Sequence, residues 1–148
     1  MQKESHRSIP VLPCACANLR RAARAATRVY NQELRDSELE LTQYTLLMTL
    51  DLMGETTQKQ LGKLLAIDST TLTRTLSLLV ERKWVSANPG EDRREKLLTL
   101  TPAGRRKFQQ AQPNWQRAQE KLRVSVGEKT WQQMGQVLTH ITIAAEEL

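Results

Sequence analysis

Hydroxyl and guanidinium groups, more than acids or histidines, are what this chain offers for chemistry, and they are concentrated in one stretch. From Asp68 to Gly104 it reads DSTTLTRTLSLLVERKWVSANPGEDRREKLLTLTPAG. Ser69, Thr70, Thr71, Thr73, Arg74 and Ser77 come first, short hydrogen-bonding side chains with one cation among them. Lys83 follows, then Asp92, Arg93, Arg94 and Lys96. Such groups can exchange hydrogen bonds with base edges in a DNA major groove and can neutralise phosphates. A plain solvated face would use the same residue types, so the spacing has to decide.

The spacing predicts a helix that opens at Asp68, a good N-cap. Leu72, Leu76, Leu79 and Val80 fall at i, i+4, i+7 and i+8 and make one apolar stripe, with the hydroxyls and Arg74 on the other face. After Lys83 the period shortens. Trp84–Ala87 and Lys96–Leu100 read as two strands, and Asn88-Pro89-Gly90 starts a charged turn between them. Thr101-Pro102 then opens another helix, with Thr as N-cap and Pro at the first helical position. A helix-turn-helix followed by a hairpin is a winged helix. Its helix suits the major groove, and its basic hairpin suits the backbone or the flanking minor groove.

Here the residues resemble a known family. Asp92-Arg93-Arg94 with Leu100-Thr101 and Gly104 is similar to the D-x-R…L-T-x-x-G wing signature of the MarR family of transcriptional regulators. Thr73-Arg74 and Leu41-Thr42-Gln43-Tyr44 resemble the same family, and the likeness extends from about Cys14 to the C-terminus. It implies a homodimeric repressor that binds double-stranded DNA at an inverted repeat. In that setting Arg74 and Arg94 contact DNA, Asp92 holds Arg94 extended, and Lys83, Arg93 and Lys96 meet phosphates. It also implies release by a small aromatic ligand bound between the dimer helices and the winged helix, or by thiol oxidation.

The flanking segments must position this unit. Met1 to Pro13 is a polar arm. Residues 14–35 form an Ala- and Arg-rich helix whose small face (Ala22, Ala23, Ala26) suits close packing; a basic membrane-surface helix or an RNA-binding helix would read alike. A second helix is predicted from Thr42 to Met53, closed by Gly54. A third is capped by Thr57 and Gln60 with Leu61, Leu64 and Leu65 inward. Phe108, Ala111, Trp115, Ala118 and Leu122 form a seam along a long helix that Pro113 should kink or break. Ser125-x-x-Glu128 reads as a capping box for a last helix, striped by Met134, Val137 or Leu138, Ile141, Ala145 and Leu148. The two terminal seams call for a partner, so 14–35 and 104–148 are expected to dimerise around a winged-helix region at 42–103. The fold class expected is mainly α, a winged helix-turn-helix with a two-stranded wing and a dimerisation region built from both termini.

Cys14 and Cys16 form a C-x-C at the first helix start, beside Arg20 and Arg21. Two buried thiols or a sensing thiol are both open. At i and i+2 of a helix the two would point apart, against an internal bridge, and a structural metal site lacks further ligands. Cys16, Leu19, Arg24, Thr27 and Tyr30 have a spacing similar to the organic-hydroperoxide-sensing branch of the MarR family. That branch pairs a reactive Cys with tyrosines. Tyr30 matches one of these, and Leu41 stands where the other falls.

A chain of 148 residues with net charge +6 and 26% charged residues supports one domain with a polyanionic partner. No apolar run is long enough to span a bilayer and the N-terminus lacks a secretory core, so a cytoplasmic protein without a membrane partner is expected. The only histidines are His6 and His140, and no phosphate loop, H-E-x-x-H or G-x-S-x-G occurs, so neither an enzyme nor a cofactor is expected. An RNA-binding module would want aromatic platforms, yet aromatics are 4% of the chain. A helical scaffold would dimerise without selecting DNA.

Overall fold

The computed structural model describes residues 9–148; His6 and the first part of the arm lie outside them. Helices α1 (Ala15–Leu34) and α2 (Leu41–Met53) are joined by a 3₁₀ turn at Arg35–Ser37. Strand β1 (Thr56–Thr57), α3 (Gln58–Leu65), α4 (Ser69–Glu81), β2 (Val85–Pro89) and β3 (Lys96–Leu100) follow, then α5 (Pro102–Val126) and α6 (Glu128–Glu146). The fold class is as expected, mainly α with a winged helix-turn-helix.

The core lies where α2 meets α4, α5 and β3. Leu46, Leu47 and Leu50 of α2 are fully buried, together with Leu61, Leu79, Val85 and Leu98. Each such side chain contributes roughly 2 kcal/mol of transfer free energy. Tyr44 anchors α2 to α5: its ring lies 5.3 Å from Phe108 and 5.7 Å from Trp115, centroid to centroid. Burial pushes the Tyr44 phenol up to about 12. The seam of α5 is therefore spent inside the protomer. Phe108, Ala111 and Ala118 are buried against α1 and α2 and are not held back for a second copy.

Several local expectations are corrected. Helix α2 starts one residue early, at Leu41, with Glu40 and Gln43 forming its capping box. The sheet has three strands, because Thr56↔Leu98 and Thr57↔Leu97 add β1 to the hairpin. The first hairpin strand runs Val85–Pro89, not Trp84–Ala87, and Pro89 is tolerated because β2 is an edge strand in the order β1-β3-β2. Helix α5 is continuous through Pro113. Gln109, whose carbonyl loses its partner there, is exposed to water, as is Pro113 itself. Ser125 caps nothing: it is inside α5 and its hydroxyl donates to the Lys121 carbonyl. The break falls at Gly127, where φ is +83°, and Glu128 pairs with Arg123. Leu64 and Val80, placed on inner faces by periodicity, are exposed, while their neighbours Leu61 and Leu79 take the core positions.

Candidate nucleic-acid interface

The helix-turn-helix is set by two caps and one left-handed residue. The Thr57 hydroxyl accepts from Gln60 N at 3.2 Å, and Gln60 Oε1 accepts from Thr57 N at 2.9 Å, which fixes the start of α3. Ala66 ends α3 at φ +50°, and Asp68 then accepts from Thr71 N at 2.9 Å to start α4. Hydrogen bonds from Thr71 hold the Asp68 carboxyl below its ordinary range. Leu72, Leu76 and Leu79 seat α4 on the core. The face this leaves outward carries Ser69, Thr70, Thr71, Thr73, Arg74 and Ser77, all exposed. Gln58, in the first turn of α3, donates from Nε2 to Thr73 Oγ1 at 2.8 Å. It joins residues far apart in sequence, so no local signal could have found it.

The wing brings its cations towards the same face. Arg94 and Lys96, with Thr57, Gln58, Lys59 and Glu95, line a cleft of about 360 Å³ between the hairpin and the α3 start. Arg93 is exposed at the tip, and Lys83 is exposed at the hairpin root. Among the described residues none of Arg74, Lys83, Arg93, Arg94 and Lys96 forms an ion pair. The pairs that do form involve Arg105, Arg117, Lys121 and Arg123 on α5. At the hairpin root, Arg82 and Lys107 lie 5.2 and 5.1 Å from the centre of the Trp84 ring, a cation–π arrangement on a half-buried aromatic.

The thiols lie at the other end. Cys14 is outside the helix, as its N-cap (φ −107°, ψ 118°), and its Sγ accepts from Ala17 N at 3.4 Å. The expectation that both cysteines lie in one helix therefore fails for Cys14. Both are exposed in the protomer rather than buried. Arg21 donates to the Pro10 carbonyl at 2.9 Å and to Asn18 Oδ1 at 3.0 Å, tying the arm to α1 instead of facing a thiol. Tyr30 lies about four turns from Cys16, roughly 21 Å along the axis. Its hydroxyl donates to Gln119 on α5, and burial raises its phenol. Cys16 and Tyr30 thus do not meet within one protomer, and Leu41 packs against the core. A groove of about 740 Å³ runs between α1 and α5, with Val29, Leu122 and Val124 as apolar lining and Glu33, Arg117 and Lys121 at its edge. Among the described residues no cluster of His, Cys, Asp and Glu is placed to hold a metal, and no helix is long and apolar enough to cross a membrane.

The MarR family model matches residues 37–95. The uncharacterised HTH-type transcriptional regulator YwoH of Bacillus subtilis (strain 168) is 32% identical over 104 residues, which cover 70% of this chain and 76% of YwoH. This chain belongs to the MarR family. It is a DNA-binding transcriptional regulator and not an enzyme. The M. tuberculosis regulator MosR, solved in complex with DNA, superposes with a TM-score of 0.81 at 34% identity, over 90% of this chain and 97% of MosR. A cysteine-to-serine mutant of E. coli MarR complexed with operator DNA has a TM-score of 0.76 over 85% of this chain and 91% of that one; at 23% identity it speaks for the fold alone.

The MarR signature can now be read as physics. In D-x-R, the Asp92 carboxylate accepts from the backbone N–H of Arg94 at 3.0 Å. It shapes the hairpin tip and touches Arg94 through the backbone. In L-T-x-x-G, the Thr101 hydroxyl donates to the Lys83 carbonyl at 2.6 Å and accepts from Gly104 N at 3.0 Å, pinning the start of α5 to the hairpin root. A Cβ on Gly104 would lie 2.8 Å from Leu100 Cδ1 and closer still to the Trp84 carbonyl oxygen. Only glycine lets α5 pass that close. These residues hold the wing against the helix-turn-helix, so part of a signature that marks DNA binders is architectural.

Proposed function

We propose that the protein is a homodimeric repressor that reads an inverted repeat, placing Ser69–Ser77 in successive major grooves and Arg94 in the flanking minor groove. The observation that carries this is a juxtaposition: the wing and α4 cations, exposed and free of ion pairs among the described residues, lie beside a hydroxyl-rich helix face. Arg74 reads a base edge or a phosphate, and Lys83, Arg93 and Lys96 meet phosphates. That the related MosR was solved with DNA supports the same partner. Dimerisation is supported by α6, which buries none of its residues in the protomer and exposes Val137, Leu138, Ile141 and Ile143. The cytoplasm is the compartment such a regulator works in.

Two release signals fit. The α1–α5 groove is large enough for a small aromatic ligand. The exposed Cys14 and Cys16 at the start of α1 favour a second reading, oxidation of Cys16 by an organic hydroperoxide, which is reduced to its alcohol as the thiol becomes a sulfenic acid. A pairing of Cys16 with Tyr30 would then be made between protomers. Fluorescence anisotropy on the chain's own upstream DNA against a scrambled duplex tests the main reading: selective binding that weakens steeply with salt is expected, and equal affinity for both duplexes refutes it. The same assay with hydroperoxide, on wild type, Cys14→Ser and Cys16→Ser, separates the signals. Release that survives Cys16→Ser removes the thiol reading.

A further inference from the structure

We infer that Gln58 is a specificity-determining residue of the DNA-reading face, acting through Thr73; this rests on the reading that α4 enters the major groove. A threonine hydroxyl has one proton and two lone pairs. Inside a helix the proton usually returns to the carbonyl four residues back, as Thr75 does to Thr71 at 3.0 Å. Thr73 makes no such bond among the described residues. One of its lone pairs accepts from Gln58 Nε2 at 2.8 Å instead. With its inward side occupied by a donor, the hydroxyl turns its proton outward, and Thr73 presents a donor to the groove. Its natural partners are the acceptors there: purine N7, guanine O6 and thymine O4.

The geometry that fixes Gln58 is stiff. It is the first residue of α3, directly after the Thr57 N-cap and inside the Thr57–Gln60 capping box. It also lines the cleft that carries Arg94 and Lys96, so α3, α4 and the wing meet at this one side chain. Gln58 carries no charge and neutralises no phosphate. Its contribution is the hydrogen-bond polarity of a neighbour, which affects which base is chosen far more than how strongly any duplex is held.

The test uses the full chain, a randomised duplex library to find the preferred site, and anisotropy on that site. Gln58→Ala and Thr73→Val should each weaken it about tenfold and should lose preference at the same base pair. The double variant should bind no more weakly than Thr73→Val alone. Gln58→Glu has only acceptors to offer, so it should draw the Thr73 proton inward and move the preference at that pair to a base presenting a donor, adenine N6 or cytosine N4. Binding of Gln58→Ala to scrambled duplex, and its salt slope, should match wild type. Gln58→Met, similar in length and without the hydrogen bond, gives the same readout should Gln58→Ala disturb folding. An unchanged site preference in Gln58→Ala and Gln58→Met, or losses that multiply in the double variant, overturns the inference while the DNA-reading proposal stands. A wild-type protein that selects no sequence overturns both.

Discussion

The two ends of this molecule leave different things unfinished. Around α4 and the wing, Arg74, Lys83, Arg93, Arg94 and Lys96 form no ion pair among the described residues, while the apolar residues of that region, Leu72, Leu76, Leu79 and Leu98, are buried. Around α5 and α6 several cations are matched to acids, Arg117 and Lys121 to Glu33 and Arg123 to Glu120 and Glu128, while Val124, Val137, Leu138, Ile141 and Ile143 are exposed. Unspent charge on exposed side chains suits a polyanion, which releases counterions on binding. Unspent apolar surface on a helix suits another protein surface. The difference fits the two partners proposed above, DNA at one end and a second copy at the other.

The largest effect is expected where that division is attacked at the apolar end. Leu138→Asp with Ile141→Asp places two charges on the exposed stripe of α6. Light scattering should fall from about twice the 16.9 kDa chain mass to the chain mass itself. Binding to the inverted repeat should weaken by about a hundredfold or more, because the second half-site is no longer tethered to the first, while affinity for a single half-site stays near that of a wild-type protomer. A double variant that remains dimeric would move the interface away from α6.

The next effect sharpens the contrast between free and paired cations. Arg94→Ala and Arg74→Ala should each cost on the order of 1–3 kcal/mol on the preferred site. Arg123→Ala removes the same charge from a residue already matched by Glu120 at 2.9 Å and Glu128 at 2.6 Å, and should leave DNA affinity nearly unchanged. Titration of all three against salt provides the measurement. Equal losses for Arg94→Ala and Arg123→Ala would mean that net charge alone, and not its placement on the wing, drives binding.

Much of the α4 and wing end was legible because its signals are local. A period change after Lys83, the Asp68 and Thr101 caps and the D-x-R turn all lie within a few residues of what they determine. What was not legible depends on contacts between distant segments. Thr56–Thr57 is too short to show an alternation, and it is a strand only because β3 lies beside it. Gln58 meets Thr73 only once α3 and α4 have packed. Periodicity found the seam Phe108–Leu122 on α5 but assigned it to a second copy, whereas Tyr44 of the same chain packs on Phe108 and Trp115. At Pro113 local propensity pointed to a kink or a break, yet α5 is unbroken there, with Ala111 and Ala118 buried on either side of the residue.

The smallest effect tests whether the matched charges of the helical end contribute to its stability. Glu33 on α1 accepts from Lys121 and, at 3.4 Å, from Arg117, both on α5. The hydrogen bond from Lys121, followed by the nearby charges and partly opposed by burial, holds the Glu33 carboxyl below its ordinary value. A carboxyl depressed in the folded state stabilises the fold above its unfolded pKa and loses that contribution as pH falls through the folded one. The link between α1 and α5 should therefore be intact at neutral pH and should fade in acid, below about pH 4.3. Both cations are largely exposed, so the gain is modest, on the order of a degree or two in melting temperature. Melting curves of wild type and Glu33→Gln should be separated by that amount at pH 7 and should converge in acid as the wild-type carboxyl is protonated. A separation that persists unchanged to about pH 3, below the ordinary carboxylate range, would show that Glu33 does not act through its charge. The helical end would then be held by apolar contacts alone, and the contrast with the wing would rest on the free cations only.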